Sequence, residues 1–111
     1  MNRDAVIKAK RIVIKIGSST LTGEDGAGLD SAAVTKLAAA VAELKEQGRE
    51  VVVVSSGAIA AGLAPLGLGK RPADLATQQA AASVGQGLLI HSYTEALRKH
   101  KIIASQVLLT I

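Results

Sequence analysis

The stretch "VVVVSSGAIAAG", residues 51–62, decides the fold. Four consecutive valines are β-branched and stiff, which suits extended backbone, and a run without polar alternation reads as a strand covered on both faces of a parallel sheet. Ser55, Ser56 and Gly57 halt the run, and the alanine-rich residues after them open a short helix that ends near Pro65. The unit is strand, turn, helix, and in α/β proteins such turns at the carboxyl ends of strands are where ligands gather.

Working outward, "RIVIKI" at 11–16 is a second short β-branched strand, followed by Gly17, Ser18, Ser19 and Thr20 as a loop that "TGEDGAG" (22–28) extends. Between the two strands Val34, Leu37, Val41 and Leu44 recur at helical spacing. Asp30 or Ser31 stands in the N-cap position and Gly48 in that of a C-terminal stop. After the loop "PLGLGKRP" (65–72), Pro72 suits the first turn of a helix carrying Leu75, Ala82, Leu89 and Ala96 on one side. Gly85 and Gly87 within it cost about 1 kcal/mol each in helix propensity, which points to a bend or to close contact with another helix. Its small-residue face is a candidate subunit interface. "KIIASQVLLT" (101–110) reads as a third strand. The expected order is therefore β-α-β-α-α-β, a three-layer α-β-α arrangement with a mainly parallel sheet and helices on both faces.

With 111 residues the chain has room for one domain, and its hydrophobic residues are almost all aliphatic, Tyr93 being the single aromatic. Stacking platforms for single-stranded nucleic acid are thereby disfavoured. The net charge of +4 is dispersed, with only short clusters at Lys8, Lys10 and Arg11, at Lys70 and Arg71, and at Arg98, Lys99 and Lys101, which read as solvated surface. There is no cysteine, hence no disulfide framework or thiolate metal site. The N-terminus lacks the apolar core of a secretory signal, and the least charged stretch, 75–94, contains Gln78, Gln79, Gln86 and His91, a poor membrane span. A cytoplasmic location is expected.

Two loops thus share the carboxyl edge of the sheet. Gly17 and Ser18, and Ser55 to Ala58, both offer small residues, free backbone N–H groups and hydroxyls, a set suited to phosphate or carboxylate. Lys15, a charge near the end of an apolar strand, either reaches solvent at the edge or meets a negative group, and from there it can neutralise charge on phosphates in transfer. Other chemistries are poorly matched. Leu68 follows Gly67 where a P-loop requires lysine, Arg71 follows Lys70 where it requires Ser or Thr, and no glycine pair has the third glycine of the dinucleotide fingerprint. His91 and His100 read as ordinary histidines, and Ser55 and Ser56 lack a Gly-x-Ser-x-Gly elbow. Glu43, Glu46 and Asp74 fall on helix surfaces and Asp25 in a loop, so no metal ligands are assigned.

The segments "VIKIGSSTLT", "VVVVSSGAIAAGLAPLG", "QQAAASVGQGLLI" and "SQVLLT", in this order, closely resemble the glutamate 5-kinases (γ-glutamyl kinases) of the amino acid kinase family, from about residue 10 onward. Sister kinases for acetylglutamate, aspartate or UMP differ in the second loop. The resemblance implies ATP- and Mg²⁺-dependent phosphorylation of the γ-carboxylate of L-glutamate to γ-glutamyl phosphate, the first step of proline biosynthesis. By the same resemblance Lys15 is the catalytic lysine at the ATP phosphates, Gly17 and Ser18 form the phosphate-facing loop, and Ser56, Gly57 and Ala58 form the glutamate-binding turn. A homo-oligomer inhibited by proline is implied, with residues 73–98 near the subunit contact, and no nucleic acid or membrane partner for this segment.

Family members have a kinase domain more than twice this long, some with an added RNA-binding-like domain, and their glutamate-holding aspartate and asparagine, a second lysine and the base pocket have no counterpart before Ile111. The expectation is that residues 1–111 are the N-terminal, substrate-side half of a truncated kinase domain, inactive alone. The alternatives are a non-catalytic anion-binding or oligomerisation module, or a family kinase with another substrate.

Overall fold

The computed structural model describes residues 3–23 and 28–108. In chain order the elements are α1 (Arg3–Lys8), β1 (Arg11–Ile16), α2 (Ser18–Leu21), α3 (Ser31–Glu46), β2 (Glu50–Ser55), α4 (Ala58–Leu63) and α5 (Leu75–Arg98). The strands pair in parallel, from Arg11 opposite Glu50 to Ile16 opposite Ser55. Parallel neighbours need a crossover, and α3 supplies it. Its N-cap is Asp30, whose carboxylate accepts the N–H groups of Ala32 (3.0 Å) and Ala33 (3.4 Å). Its stop is Gly48 at φ 79°, with Gly48 N–H on the Lys45 carbonyl and Arg49 N–H on that of Leu44, a Schellman motif that only a left-handed residue closes. The Arg49 guanidinium then donates to the carbonyls of Val6 and Ile7, tying down the end of α1.

Alternation along the strands sorts the sheet into two faces. Ile12, Ile14, Ile16, Val51, Val53 and Ser55 are partly covered, whereas Arg11, Val13, Lys15, Glu50, Val52 and Val54 are exposed. The core lies on the covered side: Leu21, Val34, Ala38, Leu89 and Ala96 are buried together, with Ile16, Leu29, Tyr93 and Leu97 packed against them. Burying Leu21 and Leu89 nearly completely is worth about 2 kcal/mol each.

Helices α4 and α5 pack backbone against backbone. A Cβ on Gly62 would stand 1.9 Å from the Ala81 carbonyl oxygen, and one on Gly85 would stand 1.6 Å from that of Ala58. These contacts exist because neither glycine has a side chain. Gly87 has nothing within 4 Å of such a Cβ, so of the paired glycines in α5 one makes the helix contact and the other does not.

The α/β class and the parallel pairing match the sequence pattern, while several finer expectations need correction. Residues 102–108 form no strand, and Ile103 is 96% exposed, Val107 78% and Leu108 73%. β propensity reflects fit to a pleated, half-buried surface, and these side chains find no neighbouring strand or covering helix among the described residues. For the same reason the valines of β2 are covered on one face and not on both. Pro72 precedes α5 instead of opening it. The helix begins after Asp74, whose carboxylate accepts Thr77 N–H at 2.9 Å, while the Pro72 carbonyl accepts Nε2 of Gln78. The buried stripe of α5 runs through Ala81, Gly85, Leu89 and Ala96, leaving Leu75 67% exposed. Asp25 and most of the loop 22–28 lie outside the described residues.

Candidate functional site

Because β1 and β2 run parallel and end in register, the loops after them leave the sheet side by side. Ser56 extends the ladder past the last strand pair: its N–H donates to the Ile16 carbonyl at 3.1 Å, and its hydroxyl donates to the same oxygen at 3.3 Å. Gly57 follows at φ 111°, ψ 3°, a left-handed conformation that costs an L side chain roughly 1–2 kcal/mol. A Cβ there would lie 3.6 Å from Cα of Ser18, so the two segments come within one methyl group of each other where Gly57 turns the chain into α4. Of the residues expected at the site, Ser56, Gly57 and Ala58 on one side and Gly17 and Ser18 on the other are thus brought together.

Both helices that follow are short. The first bond of α4 runs from Ala61 N–H to the Gly57 carbonyl, so the N–H groups of Ala58, Ile59 and Ala60 are not used within the helix. With six residues, α4 has little macrodipole, and attraction for an anion rests on these local amides instead. In α2, Gly17 is the N-cap with no side-chain bond, and Ser18 is exposed. No group of three His, Asp or Glu side chains among the described residues could hold a metal ion.

Lys15 stands opposite Val54 on the uncovered face, one residue before the end of β1. It is exposed and has no ion pair or side-chain hydrogen bond among the described residues. Among the arginines, Arg11 bridges Glu50 at 2.8 Å, which holds the Glu50 carboxyl below its ordinary range, and Arg98 bridges Glu95.

One participant escaped the sequence reading. The Tyr93 hydroxyl lies 2.7 Å from Ser55 Oγ, immediately before the turn, and Ser55 Oγ in turn donates to the Ser56 carbonyl at 3.2 Å. Burial raises the phenol above its usual range, and the bond to Ser55 opposes that shift. Two signals pointed to it: Tyr93 is the lone aromatic of the chain, and it sits four residues after Leu89 on the buried stripe of α5.

The two segments thus lie together at the carboxyl edge of a parallel sheet, with Lys15, unpaired among the described residues, one position before the end of β1. The profile of the amino acid kinase family matches residues 10–111. The chain belongs to the amino acid kinase family. Curated relatives include proteins named glutamate 5-kinase. The one from Salinispora arenicola (strain CNS-205) is 62% identical over 109 residues, 98% of this chain and 29% of the relative. Those from Thermobifida fusca (strain YX) and Geobacter sp. (strain M21) are 56% and 52% identical, over 97% and 99% of this chain and 28% and 29% of the relatives. This amino acid kinase chain therefore spans under a third of the length of the curated relatives it matches. Both loops and Lys15 fall within the matched family segment.

Proposed function

We propose that this chain is the N-terminal, glutamate-side part of a kinase that transfers the γ-phosphoryl group of ATP to the γ-carboxylate of L-glutamate. The observation that supports the reading is the closeness of Gly57 to Ser18, 3.6 Å from where a Cβ on Gly57 would stand to the Ser18 Cα, which leaves the two turns side by side. The glutamate 5-kinase relatives support the choice of acceptor.

In this reading the turn Ser56, Gly57 and Ala58 binds glutamate through the N–H groups from Gly57 onward, and Gly17 and Ser18 approach the phosphates with small side chains. A carboxylate oxygen of glutamate attacks the γ-phosphorus. The new phosphorus–oxygen bond forms as the bond to the β,γ-bridging oxygen breaks, giving γ-glutamyl phosphate and ADP. Lys15 is the catalytic residue, its ammonium offsetting negative charge on the transferred and leaving oxygens. Catalysis is then mainly placement and electrostatics, with no covalent enzyme intermediate. Mg²⁺ accompanies ATP as co-reactant, but the described side chains do not make a site for it, and none is assigned that role.

The same reading makes the protein a cytoplasmic, homo-oligomeric enzyme of proline biosynthesis, with proline as feedback inhibitor. It gives residues 1–111 the substrate-side half of the kinase domain. The test is a coupled assay of ADP release by the kinase-length protein with glutamate, aspartate and acetylglutamate compared. Glutamate-dependent turnover is expected, and turnover with aspartate but not glutamate overturns the assignment. The 111-residue chain alone is expected to be inactive, and γ-glutamyl phosphate formed by it would refute the division of the domain.

A further inference from the structure

We infer that Tyr93 is a positioning residue for the acceptor turn, acting through Ser55 on the Ser56–Gly57 peptide; the inference rests on the glutamate-kinase reading above. In this arrangement Ser55 gives its one hydroxyl proton to the Ser56 carbonyl, and the Tyr93 O–H donates in the 2.7 Å contact with Ser55 Oγ, a contact whose geometry admits either hydroxyl as donor. The result is a relay, from the Tyr93 hydroxyl to the Ser55 hydroxyl to the Ser56 carbonyl.

The end of that relay matters because a peptide unit is planar and trans, so its C=O and N–H point in opposite directions. Holding the Ser56 carbonyl fixes the direction of the Gly57 N–H. The bonds of Ser56 to the Ile16 carbonyl and of Ala61 N–H to the Gly57 carbonyl fix the residues on either side, and at Gly57, with φ 111° and no side chain, the peptide between them has no steric restraint of its own. Tyr93 is suited to serve as the anchor. Its ring packs against the core formed by Leu21, Val34, Ala38, Leu89 and Ala96, and its hydroxyl alone reaches the sheet edge. The same helix meets the other end of the turn two turns earlier, where Gly85 abuts the Ala58 carbonyl. The turn is gripped at Ser55 by a hydrogen bond and at Ala58 by backbone packing, both from α5.

The test uses the kinase-length protein with Tyr93→Phe, which keeps the ring and removes only the oxygen, Ser55→Ala, the double variant, and Ser55→Thr, which retains a hydroxyl. Losing one directing hydrogen bond is expected to raise KM for glutamate roughly five-fold in each single variant. KM for ATP should stay unchanged. The double variant should be no worse than either single one, and Ser55→Thr should behave nearly as the parent protein. Unchanged KM for glutamate in Tyr93→Phe, equal changes for ATP and glutamate, or multiplicative effects in the double variant would overturn the relay while leaving the glutamate assignment intact. A parent protein that turns over ATP without responding to glutamate would overturn the assignment and the relay with it. Should Tyr93→Phe lose its fold, the contrast between Ser55→Ala and Ser55→Thr decides.

Discussion

The turn at 55–58 and the segment at 17–21 leave the same edge of the same sheet, yet they are held differently. The first is fixed at both ends, by the Tyr93 to Ser55 hydrogen bond and by the Gly85 contact at Ala58. The second is anchored at its far end, where Leu21 is buried and its carbonyl accepts Asp30 N–H, while Gly17 and Ser18 stay exposed and Lys15 has no partner among the described residues. The contrast follows the chemistry each would serve. Hydrogen bonds to a carboxylate are directional and lose strength when misaligned, so a turn proposed to hold one needs a rigid mount. An ammonium group acts through charge, which falls off gradually with distance, so the phosphate side can rest on Lys15 with less scaffolding.

The sharpest way to break this contrast is Lys15→Ala. If that side works through charge, phosphoryl transfer by the kinase-length protein should fall by about 10²–10³, the usual cost of losing one stabilising donor. Because Lys15 is exposed and unpaired, the urea midpoint should not move, and a large loss of stability would show that the residue is structural instead. Gly85→Ala attacks the other side. Its Cβ would meet the Ala58 carbonyl, and overpacking where backbone must shift costs about 3 kcal/mol or more. Gly87→Ala, in open space on the same helix, should instead gain roughly 0.5–1 kcal/mol from helix propensity. Urea denaturation of the two variants reads both effects, and a tolerated Gly85→Ala would mean that α5 does not support the turn.

The smallest expected effect concerns how α5 itself begins. The hydroxyl and N–H of Thr77 both donate to the Asp74 carboxylate and hold it below the ordinary aspartate value of 3.8. A carboxyl depressed in the folded state contributes stability above its unfolded pKa and loses it as pH falls through the folded one. The difference in urea midpoint between the parent chain and Asp74→Ala should therefore be present at neutral pH and shrink as the pH falls below the ordinary aspartate value of 3.8. A difference that does not change with pH would mean that the cap does not depend on ionised Asp74.

Much of this arrangement was legible from local pattern. The four valines, the Val34 to Leu44 periodicity and the Gly48 stop are short-range signals, and both strands and α3 formed where those signals stood. What local pattern could not carry was cover. Residues 51–54 and 102–108 are both rich in aliphatic side chains, but strand formation and two-sided burial depend on neighbours that no window of sequence contains. The site divided in the same way. The serine–glycine turn and Lys15 could be picked out by residue type, whereas the Tyr93 to Ser55 bond joins positions 38 apart and arises only when α5 is laid across the end of the sheet.

Under the proposed function, the close approach of Gly85 to Ala58 also bears on how acceptor choice could change. Where two backbones touch with no side chain between them, there is nothing to trim or enlarge. Respacing the turn for a longer or shorter acceptor would require sliding the 24-residue α5 along α4, against the matching contact at Gly62. New acceptors are far more accessible through residue 56 and through Ser18 across the gap, where side chains can be exchanged and the frame left in place.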